Sequence, residues 1–123
     1  MLNDSQIVRL LDIANAGCHH GHVQDARTVY ENVLLLRPGH APARIGLAMS
    51  HIVVDDFAKA EELLRAVLAE NENDADARAA LGLCLMLSQR HDEARDMLAP
   101  LEGVDGPGAK LAGSLLEQLS PHH

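Results

Sequence analysis

The sequence predicts an all-α fold, a solenoid of three helix pairs plus a C-terminal capping helix. Three observations carry that expectation. The first is an internal repeat with a period of 34 residues. Ala60 falls on Ala26 one period back and on Ala94 one period on. Leu47 falls on Ile13 and Leu81, Ala48 on Ala14 and Gly82, Leu64 on Tyr30 and Leu98, and Val67 on Val33 and Leu101. The second is helical spacing of apolar residues in both halves of each period. The third is composition. Hydrophobic residues make up 47% of the chain but aromatic residues only 2%, with no Trp. A core built from Leu, Val, Ile, Met and Ala suits helices that approach closely.

In chain order, residues 1–4 are expected to fray. Ser5 can cap a first helix running to about Cys18, with Ile7, Leu10, Leu11, Ile13 and Ala14 packed. His19, His20, Gly21 and His22 form its turn, and Gly21 accepts a positive φ without steric cost. The next helix spans about 23–36 and buries Val23, Ala26, Tyr30, Val33 and Leu34. Arg37-Pro38-Gly39 ends it, because proline cannot continue the hydrogen-bond ladder.

The central unit, 41–74, is the clearest. Its first apolar run covers 42–54 and its second covers 57–70. Asp55-Asp56 separates them and offers carboxylates to the free N–H groups of the following first turn. Asn71-Glu72-Asn73-Asp74 closes the unit in turn-forming residues. The third unit begins with a helix over about 75–87, capped by Asp74. Its partner, about 92–101, should be short because Pro100 interrupts it, and Asp92-Glu93 are expected to cap its start. Residues 102–108 read as loop, with Gly103, Gly106, Pro107 and Gly108. A closing helix over 109–119 carries Leu111, Leu115, Leu116 and Leu119. A terminal repeat exposes an apolar side, so one covering helix is expected there.

The repeat resembles the tetratricopeptide repeat (TPR), whose pattern is W-x2-L-G-x2-Y, then A-x3-F, then P. The match covers roughly residues 7–106, as repeats at about 7–40, 41–74 and 75–106 of one domain. The Trp slot holds Leu10, Arg44 and Arg78. The Tyr slot holds Gly17, His51 and Leu85, and the closing proline appears once, as Pro38.

Function classes narrow from the same residues. A formal charge of −8 argues against nucleic acid, which needs clustered Lys and Arg. No apolar run approaches a membrane span, and residues 1–15 lack the basic start and unbroken apolar stretch of a signal peptide. A cytoplasmic location is expected, with Cys18 and Cys84 as free buried thiols. No phosphate loop, nucleophile elbow or dinucleotide fingerprint is present, so no enzyme, catalytic residue or cofactor is expected. His19, His20 and His22 could hold a metal, but no further ligand at fixed spacing completes a shell, so they are read as a polar turn. His51, on an otherwise apolar helix face, is expected to be packed and hydrogen-bonded.

Binding is the better reading. By repeat register, the concave slots of the first helices hold Leu11 in the first unit. In the second they hold Ile45, Met49, Ile52 and Val53, and in the third Leu83, Met86 and Leu87. The same register also takes in Val8, Asn15, Cys18, His19, Pro42, Asp76 and Ala79, so the slots are mostly aliphatic where a groove that grips charged peptide tails would carry Lys, Arg and Asn. First helices apolar nearly all round need cover on more sides than their partner helices provide. An amphipathic helix from another protein is the natural guest, and the methionines let the wall adapt to it.

A short acidic chain of three such repeats resembles the type III secretion chaperones, and among them the needle-subunit chaperones of the YscG/PscG kind. The resemblance covers about 5–119, including Ile7-Val8-Arg9-Leu10-Leu11-Asp12-Ile13-Ala14 and Leu36-Arg37-Pro38-Gly39. It implies a cytoplasmic chaperone that holds an amphipathic helix of a self-assembling secreted subunit and prevents premature polymerisation. It also implies a small helical co-chaperone. Two alternatives stand beside it. One is a scaffold, assembly or translocator-type chaperone that binds another protein. The other is self-association, with the groove filled by the chain's own last helix or by another copy.

Overall fold

A computed structural model describes residues 23–119. The expected first helix, with Leu11 and Cys18, the His19–His22 turn and the C-terminal tail lie outside the described residues. Six α-helices follow in order: α1 (Val23–Leu36), α2 (Ala41–Val53), α3 (Phe57–Glu70), α4 (Ala75–Leu87), α5 (His91–Leu98) and α6 (Pro107–Leu119). A 3₁₀ turn, Ala99–Leu101, extends α5. The fold is all-α, with no strand among the described residues.

The 34-residue period recurs in the backbone hydrogen bonds. Arg37 N–H donates to the Val33 carbonyl at 2.8 Å, and Asn71 N–H to Val67 at 3.0 Å. Asp55 N–H reaches Ile52 at 3.0 Å, and Gln89 N–H reaches Met86 at 3.1 Å. Asp56 N–H reaches His51 at 2.8 Å, and Arg90 N–H reaches Leu85 at 2.9 Å. Each pair is one period apart, so the turns repeat as closely as the helices. Asp55 and Gln89, again one period apart, both take the left-handed region at φ 64° and 66°. Asp tolerates that conformation through its short polar side chain, whereas Gln has no such advantage.

Caps differ more than turns do. Asp74 accepts the Ala77 N–H at 3.0 Å, and one period earlier His40 Nδ1 accepts the Ala43 N–H at 3.3 Å. An imidazole therefore stands in for the usual carboxylate or hydroxyl. Asp56 reaches the Lys59 N–H at 3.4 Å, while Asp55 serves the left-handed turn rather than the cap. The expected capping role of Asp92-Glu93 needs correction. Arg90 occupies the cap position but gives no side-chain bond to the free N–H groups of the first turn, and both acids lie in that turn of α5. There Glu93 takes Arg90 at 2.6 Å and Asp92 takes Arg95 at 2.9 Å. Negative charge in a first turn still complements the helix dipole. Asp74→Ala should cost about 1 kcal/mol of stability in a urea titration. An unchanged midpoint would show that the cap bond adds nothing.

The chain divides into two compact units, the first ending at Leu63 and the second beginning at Leu64. In the first, α1 packs on α2. Ala26, Tyr30, Val33 and Ala43 form the buried cluster, with Val29, Leu34 and Leu47 against it. Gly46 makes the approach possible, because a Cβ there would fall onto the Tyr30 ring. In the second unit α4 packs against both α5 and α6. Gly82 lies against Leu98 in the same way. Ala77, Ala79, Ala80, Leu81, Cys84 and Leu85 are buried along α4. The expected brevity of α5 is present, at 8 residues against 14 for α3, and Pro100 sits in the 3₁₀ turn that ends it. α6 begins at Pro107, where a missing N–H costs nothing in a first turn. It buries Ala109, Ala112, Leu115 and Leu119. Arg95 Nη2 donates to the Leu119 carbonyl at 2.8 Å and so caps its end.

Candidate partner-binding surface

On α2, Ile45, Met49 and Val53 follow one another at a spacing of four, which places them in one file along the helix. Ile45 and Met49 are half-buried and Val53 is 47% exposed. Ile52 belongs to the neighbouring file with Ala48 and is only 6% exposed, so it packs as core. On α4, Leu83 and Leu87 form the matching file. Leu83 is half-buried and Leu87 is 42% exposed. Met86, one period after Ile52, is half-buried beside Gly82. The register also placed Ala79 on this side of α4, yet it is 1% exposed. The chain itself covers part of that helix, since α6 packs on it. Each unit thus presents a short aliphatic file whose exposure rises toward the C-terminal end of its helix. Leu11 lies outside the described residues.

Other exposed apolar side chains were not singled out by the periodicity. Leu35, 80% exposed, and Leu36 end α1, Val54 follows Val53, and Val104 lies in the loop before α6. The signal for Leu35 was present. Its position falls off the stripe defined by Ala26, Tyr30 and Val33.

Polar groups tie the elements around these files. In the first unit Ser50 is fully buried. Its hydroxyl accepts from Arg27 Nε at 2.9 Å, and its carbonyl accepts from Arg27 Nη2 at 3.3 Å. His51 Nδ1 lies 3.2 Å from Arg27 Nη2 and 3.3 Å from Asp56 Oδ2. His51 is therefore the packed, hydrogen-bonded histidine that its position suggests. Burial, then the Arg27 charge, hold its pKa below the ordinary 6.5, with Asp56 opposing and Lys59 adding a little in the same direction as Arg27. In the second unit Arg78 occupies the slot that a TPR gives to Trp. It donates through Nε to the Glu72 carbonyl at 2.7 Å and through Nη1 to the Met97 carbonyl at 3.2 Å. Its guanidinium thereby joins a loop to α5.

Cys84 is buried and forms no disulfide. Among the described residues no group of three or more His, Cys, Asp or Glu could hold a metal ion. No described helix is long and apolar enough to cross a membrane. What the surface offers is aliphatic contact area, flanked by fixed polar ties.

The tetratricopeptide repeat family model matches residues 54–119, more than half of the chain. No curated protein matches the chain by sequence. Among solved structures, the first TPR of Spaghetti (RPAP3) bound to the HSP90 peptide SRMEEVD is similar at a TM-score of 0.70 and 17% identity, over 96% of each chain. The Yersinia enterocolitica type III secretion translocator chaperone SycD is similar at 0.72 and 16%, over 97% of this chain and 86% of that one. A MamA RS-1 double mutant is similar at 0.60 and 22%, over 95% and 76%. At these identities the likeness is one of fold.

Proposed function

The chain belongs to the tetratricopeptide repeat family, and from that premise we propose that it is a non-enzymatic holder of another polypeptide. It takes apolar, helical segments against the aliphatic file that each unit presents, on α2 in the first and on α4 in the second. One observation carries the reading. Ile45, Met49 and Val53, and one period on Leu83 and Leu87, are aliphatic side chains left partly open at positions where a charge-gripping repeat would need Lys or Arg. Covering what remains open of each such Leu, Val or Met contributes about 0.7–1.5 kcal/mol before association costs, roughly half the value for a fully exposed side chain.

Single-domain organisation into repeats at about 7–40, 41–74 and 75–106, with a capping helix over 109–119, belongs to this reading. So does a cytoplasmic location. A finer reading is a secretion chaperone. The fold it shares with the translocator chaperone SycD favours a translocator-type or general assembly role over the needle-subunit role, for which no comparison speaks. On the finer reading, the guest is a self-assembling subunit and a small helical co-chaperone joins it.

Two labelled peptides test the class of ligand. One is a synthetic amphipathic helix with Leu on one face and Lys and Gln on the other. The other is SRMEEVD, the peptide of the first structure above. Fluorescence anisotropy should show the helix bound at least about tenfold more tightly, with little loss in high salt. Preference for SRMEEVD, or no binding of the helix, would overturn the proposal.

A further inference from the structure

His51 stands between two groups that make opposite demands on one nitrogen. Arg27 Nη2 can only donate and the Asp56 carboxylate can only accept, and each lies within 3.3 Å of the same Nδ1. A bare Nδ1 accepts from Arg27 and repels the carboxylate. A protonated Nδ1 donates to Asp56 and repels the guanidinium. It cannot serve both at once.

The two partners belong to different elements. Arg27 is on α1, His51 is in the last turn of α2, and Asp56 opens α3. The turn itself is fixed in either state, because Asp56 N–H also bonds to the His51 carbonyl at 2.8 Å. What changes is the tie from α2 back to α1. Arg27 then rests on Ser50 alone, with an imidazolium beside it. The charged groups that bear on His51 are Arg27 from α1, Asp56 from the turn and Lys59 from α3. Val53, at the most exposed end of the α2 file, lies two residues beyond His51.

We propose that His51 is a proton-operated latch. Bare Nδ1 holds Arg27 and locks α1 to the end of α2. A proton on Nδ1 transfers the bond to Asp56 and loosens α1 from the helix that carries Met49 and Val53. Acid thereby weakens the hold on a bound helix, a consequence that rests on the function proposed above.

The lowered pKa sets the direction of the stability effect. Neutral His51 favours the fold. That contribution is complete above the unfolded value of 6.5 and is lost as pH falls through the lower folded-state value.

Imidazole ¹⁵N spectra of the full chain test the latch directly. At about pH 8, Nδ1 should be unprotonated and Nε2 should carry the proton; at an acid pH below the ring's lowered folded-state value both should be protonated, with amide shifts in α1 as well as α2. A proton on Nδ1 already at the higher pH would overturn the latch, as would α1 amides that ignore the titration. The fall in Tm between the two pH values should be smaller in His51→Gln, which isolates this group from the other histidines. An equal fall would count against the latch. Affinity for the Leu/Lys/Gln peptide should drop about fivefold on acidification in the natural chain and less in His51→Gln. Equal drops would overturn the regulatory role. A peptide that binds at neither pH would sink the function proposed above and, with it, the regulation, while the spectra still decide the latch.

Discussion

Gly46→Ala should destabilise the chain by about 1–3 kcal/mol, and adding Tyr30→Leu should recover much of that loss. The reason is steric. A Cβ on residue 46 would land on the Tyr30 ring, and both positions are buried. Ring and helix must then separate or the ring must leave its rotamer. Tyr30→Leu alone should also cost about 1–3 kcal/mol, since it leaves unfilled volume beside a glycine. Together the two changes give the pair of residue types that the sequence carries one period on. One period on, the same places hold Leu64 and Ala80, at 0% and 3% exposure. Urea unfolding of the four proteins gives the coupling, expected at about 1 kcal/mol or more in favour of the double variant. Strictly additive losses would mean that Tyr30 and Gly46 do not set each other's size.

That pairing also shows why the fold could be read from the sequence. Apolar spacing and turn residues agree at α1, α3 and α4, whose bounds 23–36, 57–70 and 75–87 follow from the residues alone. Asn71, Asp74 and Pro38 stop or start helices by their own chemistry. Where chemistry gives no sign, the sequence is silent. Gln89 in a left-handed turn looks like any polar residue, and only its distance of one period from Asp55 marks it. His40 as a cap is hidden because imidazoles rarely cap. Asp92 and Glu93 looked like caps because a first-turn acid and a cap acid differ by only one or two positions.

The candidate surface is legible in outline and not in depth. Two files run side by side on α2 and on α4, separated by one residue. Ile52 follows Ala48 into the core while Val53 follows Met49 outward, and no hydrophobicity scale separates the two. Ala79 is buried on α4, a helix that packs against both α5 and α6, and the closing helix was expected without the residues it would cover. The Arg27–Ser50–His51–Asp56 chain joins three elements, so nothing local announces it.

Met49→Glu or Leu83→Glu should each abolish or strongly weaken binding of the amphipathic peptide while helix content stays intact. Both residues are half-buried, so the carboxylate of a substituted glutamate can reach water along an apolar stem. The free chain therefore loses little. In the complex the same carboxylate is covered by an apolar partner face, which desolvates a charge without pairing it. Losing about 0.7–1.5 kcal/mol of apolar contact alone weakens binding about 3–10-fold, and the buried charge adds to that. Ala48→Glu is the contrast. Residue 48 is fully buried, so a charge there should lower helix content itself. Circular dichroism separates the two outcomes and anisotropy reads the affinity. Unchanged peptide binding in both Met49→Glu and Leu83→Glu would remove these files as the binding surface. Binding lost only in step with helix content would make them part of the core.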